Sequence, residues 1–349
     1  MIKYLKILIF LFVLSLSNNV NAKPVPPGAG GGDVAANILF LVDSSASMGR
    51  WIGGDGIGPI AGVTYDSQNR ILMTQYSRRT AGAVIRYALN NAGNATVRDS
   101  SFRPIRQVPR NGCTQFNDGG RHNGQRLRKA HHIEFVQDLS SVSFNESVIL
   151  LHSGERRTGR YIFGFSEDGL RCLIALRAPM SIRSFDVKTI GGTPFLFVAG
   201  GARRNQGFFR SCNLETFVCN DQIINDSRNV TRWVNRFSVN NEGTLAYFAN
   251  SLTNNLEGYS LTRSGDAFTL GTRQRNCAPV NAPTLTSELA IPFGVEVSPS
   301  DSSIIYTSSV FSHAIQKIQV SDTTCTVVTA VGSGSVSYTH LTLPTKRIV

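Results

Sequence analysis

An all-β fold of four-stranded blades, a β-propeller, is what this sequence predicts, and three observations predict it. Strongly apolar short runs recur at Ile71, Val148, Phe195, Leu245 and Ile304, with steps of 77, 47, 50 and 59 residues. A repeat of roughly 40–50 residues holding about four strands is the period of propeller blades. Of the 349 residues, 41% are hydrophobic and only 17% charged, against roughly 25% charged in an average soluble domain. That balance excludes a disordered polyelectrolyte and leaves apolar material for a large core. The 32 glycines, with many Ser, Thr and Asn, supply turns for short strands rather than long helices.

The last repeat is the clearest. Pro292-Phe293-Gly294-Val295-Glu296-Val297-Ser298-Pro299-Ser300-Asp301 leads into Ile304-Ile305-Tyr306-Thr307, then 314–320, then 325–329. Val295 and Val297 alternate with polar neighbours, as in strands with one covered face. Arg70–Thr74, Val148–Leu151, Phe195–Val198 and Leu245–Phe248 hold the corresponding second strand of the earlier repeats. The long first step is expected to come from a Gly-, Asn- and Arg-rich rim loop over 92–129, which carries Cys113. One such unit cannot bury its faces alone, so the blades must lean on one another. With its Val-Gly-Ser-Gly-Ser close at 331–335, the last copy resembles an NHL-type repeat. That resemblance implies a wheel whose loops form a binding face. Five copies are visible, and six blades are expected in the intact protein.

Both ends are set apart from this domain. Residues 1–22 run from Lys3 and Lys6 through an apolar stretch, Ile7 to Leu16, to polar Ser17-Asn18-Asn19 and small Ala22. This is the order of a secretory signal peptide, and the apolar stretch is short of the roughly 20 residues of a spanning helix. No later segment is long and apolar enough to span, so an exported chain without a transmembrane segment is expected after cleavage. A Pro/Gly linker covers 23–35 and the propeller is assigned 57–335. Val336 to Lys346 resembles a translated sequencing adapter, so 336–349 are read as a non-native tail and the chain as truncated.

The sharpest motif lies at 36–56. Ile38-Leu39-Phe40-Leu41-Val42 reads as a strand buried on both faces, and it ends in Asp43-Ser44-Ser45-Ala46-Ser47. One carboxylate and two hydroxyls at alternate positions suit a hard cation, Mg2+ or Ca2+. The stretch resembles the start of a von Willebrand factor type A domain, whose metal-ion-dependent adhesion site begins with such a loop. The resemblance implies Asp43, Ser45 and Ser47 as metal ligands. It ends near Gly49, because Arg50-Trp51-Ile52-Gly53-Gly54-Asp55-Gly56 cannot continue as the helix that the family places there.

The formal charge of +12 falls to +8 when Lys3, Lys6, Lys346 and Arg347 are removed with the two ends. Arginine pairs at 78–79, 156–157 and 203–204 suggest a solvated basic face with weak polyanion affinity. No aromatic-interleaved motif points to specific nucleic acid. Six cysteines in an exported chain imply disulfides; fifteen pairings are possible, and only Cys212–Cys219 is suggested locally, across a hairpin. Adjacent His131 and His132 are expected to turn to opposite faces of a strand in a structural role. The sequons at Asn94, Asn145, Asn225 and Asn229 read as turn asparagines, and Trp51 and Trp233 as packing residues.

Three functions remain open. The first is an exported binding or adhesion protein, taking a protein or glycan on its loop face, a combination of parts similar to pilus-tip adhesins. The second is a propeller lactonase, lyase or hydrolase, for which Glu134, Asp186, Glu242 and Glu296 are the available carboxylates. The third is a ligand-free scaffold. No Gly-x-Ser-x-Gly elbow or His-Glu-x-x-His motif occurs. The non-catalytic binding protein is the expected function.

Overall fold

The computed structural model describes residues 60–75, 84–89, 95–114, 123–127, 129–154, 159–201, 206–224, 231, 234–250, 255–277, 292–309, 314–321 and 324–331. All fall in the second of two compact units, Asp43–Val349; the first, Met1–Val42, lies wholly outside them. The expected signal peptide and linker, the type A-like loop with Asp43, Ser45 and Ser47, and the adapter-like tail are also outside the described residues. So are Trp51, Trp233, Asn94, Asn225 and Asn229.

Twenty described strands form five blades. Blade one is β1 (Ile60–Tyr65), β2 (Ile71–Gln75), β3 (Val84–Leu89) and β4 (Ala95–Arg98). Blade two is β5 (Ala130–Ser140), β6 (Asn145–Ser153), β7 (Tyr161–Ser166) and β8 (Cys172–Arg177). Blade three is β9 (Ile182–Ile190), β10 (Thr193–Gly201), β11 (Gly207–Asn213) and β12 (Cys219–Ile224). Blade four is β13 (Val234–Val239), β14 (Leu245–Asn250), β15 (Asn255–Ser264) and β16 (Ala267–Cys277). Blade five is β17 (Pro292–Val297), β18 (Ile304–Ser309), β19 (Ala314–Val320) and β20 (Cys325–Val331). Each blade is an antiparallel meander in chain order, and the five apolar runs are the five second strands. No described helix is long and apolar enough to cross a membrane.

The patterning explains each strand's place. Phe195 to Gly201 in β10 is buried without alternation, because a second strand is covered by a neighbouring blade on each face. β12 alternates exposed and half-buried residues, as an outer strand must. The cores lie between blades. Val148, Leu150 and Ile174 of blade two meet Phe185, Leu196 and Phe208 of blade three. Phe195 and Phe197 of blade three then meet Phe237, Phe248 and Phe268 of blade four. Phe195 packs edge-on against Phe268 at a centroid distance of 4.9 Å. Truncating one such ring to Ala costs about 3–5 kcal/mol.

The segment 92–129 departs from the expected rim loop. It contributes β4 and two isolated bridges, Val84 with Ile105 and Gln107 with Arg126. Phe102, Ile105, Val108 and Leu127 are buried against blade two. Widely spaced apolar residues in a polar background hide this packing from a periodicity reading. Three disulfides are formed, Cys113–Cys172, Cys212–Cys219 and Cys277–Cys325. The short hairpin bridge is the pair suggested locally. The other two join residues 59 and 48 positions apart, a fact of tertiary structure. Asn145 opens β6 and is exposed.

Candidate functional site

The first strands β1, β5, β9, β13 and β17 pack side by side in succession around the hub. Their register places one residue of each at the same level. Val63 pairs with Met73, Glu134 with Leu150, Asp186 with Phe197, Ser238 with Tyr247 and Glu296 with Tyr306. Each of these partners stands two residues beyond Ile71, Val148, Phe195, Leu245 and Ile304 respectively. Three of the sequence's candidate carboxylates therefore share one ring. The fourth does not: Glu242 lies in the β13–β14 turn, where its Oε2 accepts a bond from Asn240 Nδ2 at 2.8 Å. Lys188, Arg236 and His132 join the cluster and were not anticipated as functional. The signal for them was their spacing, two residues from a ring position along each first strand.

Ring side chains stitch one blade to the next. Asp186 Oδ2 accepts the Val239 N–H at 2.6 Å, and Ser238 Oγ accepts the Val297 N–H at 3.2 Å. From blade five, Glu296 Oε1 accepts from Lys188 Nζ at 2.9 Å. His132 bridges blades two and three. Its Nδ1 accepts the Phe185 N–H at 3.4 Å, which leaves the proton on Nε2 to donate to Glu134 Oε1 at 2.8 Å. The ring also packs on Phe185, with centroids 4.1 Å apart. Arg236 reaches across the hub from blade four, and its Nη2 donates to the main-chain oxygens of Ala61 and His131. Its Nη1 is buried with no hydrogen-bond partner among the described residues. His131 stacks on His152 at 5.8 Å. Gly154 is required here, since a Cβ would run into His131 Nε2. The two adjacent histidines part to different neighbours, as expected, His132 onto Phe185 and His131 onto His152.

The electrostatics follow from burial with incomplete pairing. Burial pushes Glu134 up to about 7, against the pull of Lys188 and Arg236. Asp186 rises to about 8, through burial first and then the nearby Glu296 and Glu134, with Lys188 opposing. Glu296 is also raised, chiefly by burial among the surrounding blades. Its side chain nevertheless keeps 56% of its surface, as at the wall of an open well. Burial acts to lower Lys188, but Asp186 and Glu296 outweigh it and raise it. Burial lowers Arg236 to about 10, with Glu134 opposing. The same burial, with Arg236 nearby, takes His131 to about 4 and His132 well below the imidazole range. Both imidazoles are neutral at pH 7.

Glu134 also lines a pocket of about 340 Å3 along the second halves of β5 and β9. Its walls include Val136, Leu139, Val187 and Pro194, with Asp138 and Glu215 beside them. Asp138 sits in a bulge of β5 with φ 47°. Among the described residues, no three His, Cys, Asp or Glu side chains converge to hold a metal.

No family model matches the chain, and no curated protein matches it in sequence. Solved structures are similar at low identity. One is the nidogen/laminin complex, at 12% identity and TM-score 0.48, covering 76% of this chain and 77% of that one. Another is a periplasmic gluconolactonase of Pseudomonas aeruginosa, at 10% identity and TM-score 0.49, covering 80% and 71%. A third is a 6-phosphogluconolactonase-like protein of Bacteroides uniformis, at 11% identity and TM-score 0.47, covering 79% and 73%. The propeller assignment rests on the strand pairing itself.

Proposed function

We propose that this chain is an exported, non-catalytic binding or adhesion protein that takes a protein or glycan ligand on the loop face and hub mouth of its propeller. The observation that carries this reading is the prefixed polar wall of the hub. Asp186 is held by the Val239 N–H and Lys188 by Glu296, yet Glu296 remains open to an incoming ligand. Groups ordered before binding lose little entropy when a ligand arrives. Three disulfides suit the oxidising compartment that the signal-like start implies. The NHL-like last blade and the type A-like loop support the same role. In it, Asp43, Ser45 and Ser47 contribute to a Mg2+ or Ca2+ adhesion site, and the arginine pairs at 78–79, 156–157 and 203–204, which lie outside the described residues, add weak polyanion affinity.

Glycan and peptide arrays probed with the full-length protein test this reading. Binding is expected, weakened by chelation and by Asp43→Ala; signals indifferent to both would remove the metal-assisted part. A second reading, a propeller lactonase, lyase or hydrolase, draws on Glu134 and Asp186 being brought close to neutral pH, where general acids work. Turnover in a hydrolase and lyase panel that Asp186→Asn abolishes would favour it and end the binding-only reading.

A further inference from the structure

The pocket beside Glu134 has a chemical character of its own. Among the described residues its lining holds three carboxylates, Glu134, Asp138 and Glu215, and no Lys, Arg or His, in a chain of net charge +12. Acidic lining alone would be a solvated face. Two further facts set this one apart. The walls at Val136, Leu139, Val187 and Pro194 are apolar, and the volume, about 340 Å3, is that of a small-molecule site. Among the described residues, Glu134 has no cation within hydrogen-bond distance, Lys188 and Arg236 acting on it only from farther away: its close partner is the neutral His132 imidazole at 2.8 Å. Lys188 is engaged by Glu296, and Arg236 by two main-chain oxygens. A carboxylate that keeps 29% of its side-chain surface and is hydrogen-bonded to a neutral imidazole can still take a positive partner from the pocket side.

We propose that this pocket binds a small ligand carrying a protonated amine on an apolar body, with Glu134 taking the ammonium and Asp138 and Glu215 drawing it in. The proposal rests on the binding-protein reading and names a ligand class for a site between blades two and three. Binding exchanges the proton of Glu134 for the ligand's charge, so affinity depends on the ionised fraction of Glu134. The groups facing Glu134 are His132 on its own strand, Asp186 and Lys188 on β9, Arg236 on β13 and Glu296 on β17.

Calorimetry on the full chain with benzylamine, and with benzyl alcohol as its neutral match, tests this. Benzylamine should saturate, and benzyl alcohol should bind at least tenfold more weakly. With Glu134 titrating at about 7, benzylamine should bind about tenfold more tightly at pH 8 than at pH 6. Glu134→Gln should lower its affinity about tenfold and erase the pH dependence. Should that variant not fold, Glu215→Gln should weaken benzylamine about two- to threefold and leave benzyl alcohol unchanged. Equal binding of the two compounds, pH-independent affinity, or no saturation by benzylamine overturns the proposal. Array binding that survives Glu134→Gln while benzylamine binding fails would leave the adhesion reading standing without this ligand class. Silent arrays with intact benzylamine binding would do the reverse.

Discussion

Two charged clusters in this molecule have the same formal composition, three carboxylates and two cations, and opposite electrostatics. At the seam of blades one and two, Asp66, Asp99 and Glu167 meet Arg70 and Arg86. At the hub, Glu134, Asp186 and Glu296 meet Lys188 and Arg236. Every seam carboxylate lies within 4 Å of a guanidinium nitrogen: Asp66 2.7 Å from Arg70, Asp99 2.9 Å from Arg86, and Glu167 3.4 Å from Arg70. Ser101 adds short bonds to Asp99 and, with Arg86, takes its carboxyl down to about 2. At the hub, only Lys188 and Glu296 pair that closely among these five groups. Arg236 spends its bonds on main-chain oxygens, and the carboxylates rise instead of falling. Charge balance does not decide what a cluster does; the distances within it do. The seam ties adjacent blades together, whereas among the five hub groups only Glu296 has a cation close by.

The largest effect should come from breaking the seam. Arg86 is almost wholly buried, touches both Asp66 and Asp99, and stacks over Phe102 at 4.7 Å. Arg86→Met removes one of the two guanidinium neighbours of the buried Asp66 while Arg70 still holds it at 2.7 Å, so the loss should be substantial but below the roughly 3–5 kcal/mol of a buried charge left unpaired. Urea denaturation of the purified variant reads this directly. A loss below about 1 kcal/mol would mean that the seam is no better paired than the hub.

The hub should respond to pH instead. Between the ordinary carboxylate range and about 7 for Glu134, or about 8 for Asp186, the folded chain holds protons that the unfolded chain has released. Stability therefore falls as pH rises through that window, by up to about 1.4 kcal/mol per pH unit for each full proton of difference. The histidines act in the other direction. His131, His132 and His152 stay neutral in the fold, so below about pH 6.5 protons favour the unfolded chain. Below about pH 6.5 the two contributions oppose each other, and above it the carboxylates act alone, so the urea midpoint should decline from about pH 6.5 toward pH 8. Asp186→Asn keeps an acceptor for the Val239 N–H and removes one ring charge. It should abolish much of the decline and exceed the native chain at pH 8 by about 1–2 kcal/mol. A native midpoint that stays flat from pH 6.5 to 8 would contradict the incomplete pairing assigned to the hub.

The same contrast governs what the sequence discloses. Blades are legible because the runs beginning at Ile71, Val148, Phe195, Leu245 and Ile304 are local, and local burial writes itself into composition. The ring was present in the same numbers but obscured. Glu134 stands 14 residues before Val148, whereas Asp186 stands 9 before Phe195 and Glu296 stands 8 before Ile304. The β5–β6 hairpin is longer, and a bulge between Val136 and Leu139 shifts its register. Only strand pairing removes those offsets and sets the three carboxylates level. Arg236 gives less warning still. Nothing near it in the chain indicates that its guanidinium will meet Ala61 and His131 from two other blades. The Cys113–Cys172 and Cys277–Cys325 bridges share that non-local origin.

The smallest expected effect isolates burial from distance. Arg171 and Glu146 pair at 2.7 Å, the same separation as Arg70 and Asp66 at the seam. The Arg171 side chain keeps 63% of its surface, whereas that of Asp66 keeps none. Water already solvates the exposed pair, and ordering two long side chains offsets most of the attraction. Arg171→Ala should therefore move the urea midpoint by less than about 0.5 kcal/mol, with any residue of the effect vanishing in high salt. A loss as large as that of Arg86→Met would show separation alone to set the strength of an ion pair in this fold. The distinction between a seam that ties blades together and a hub in which only Glu296 has a cation close by would then have no physical basis.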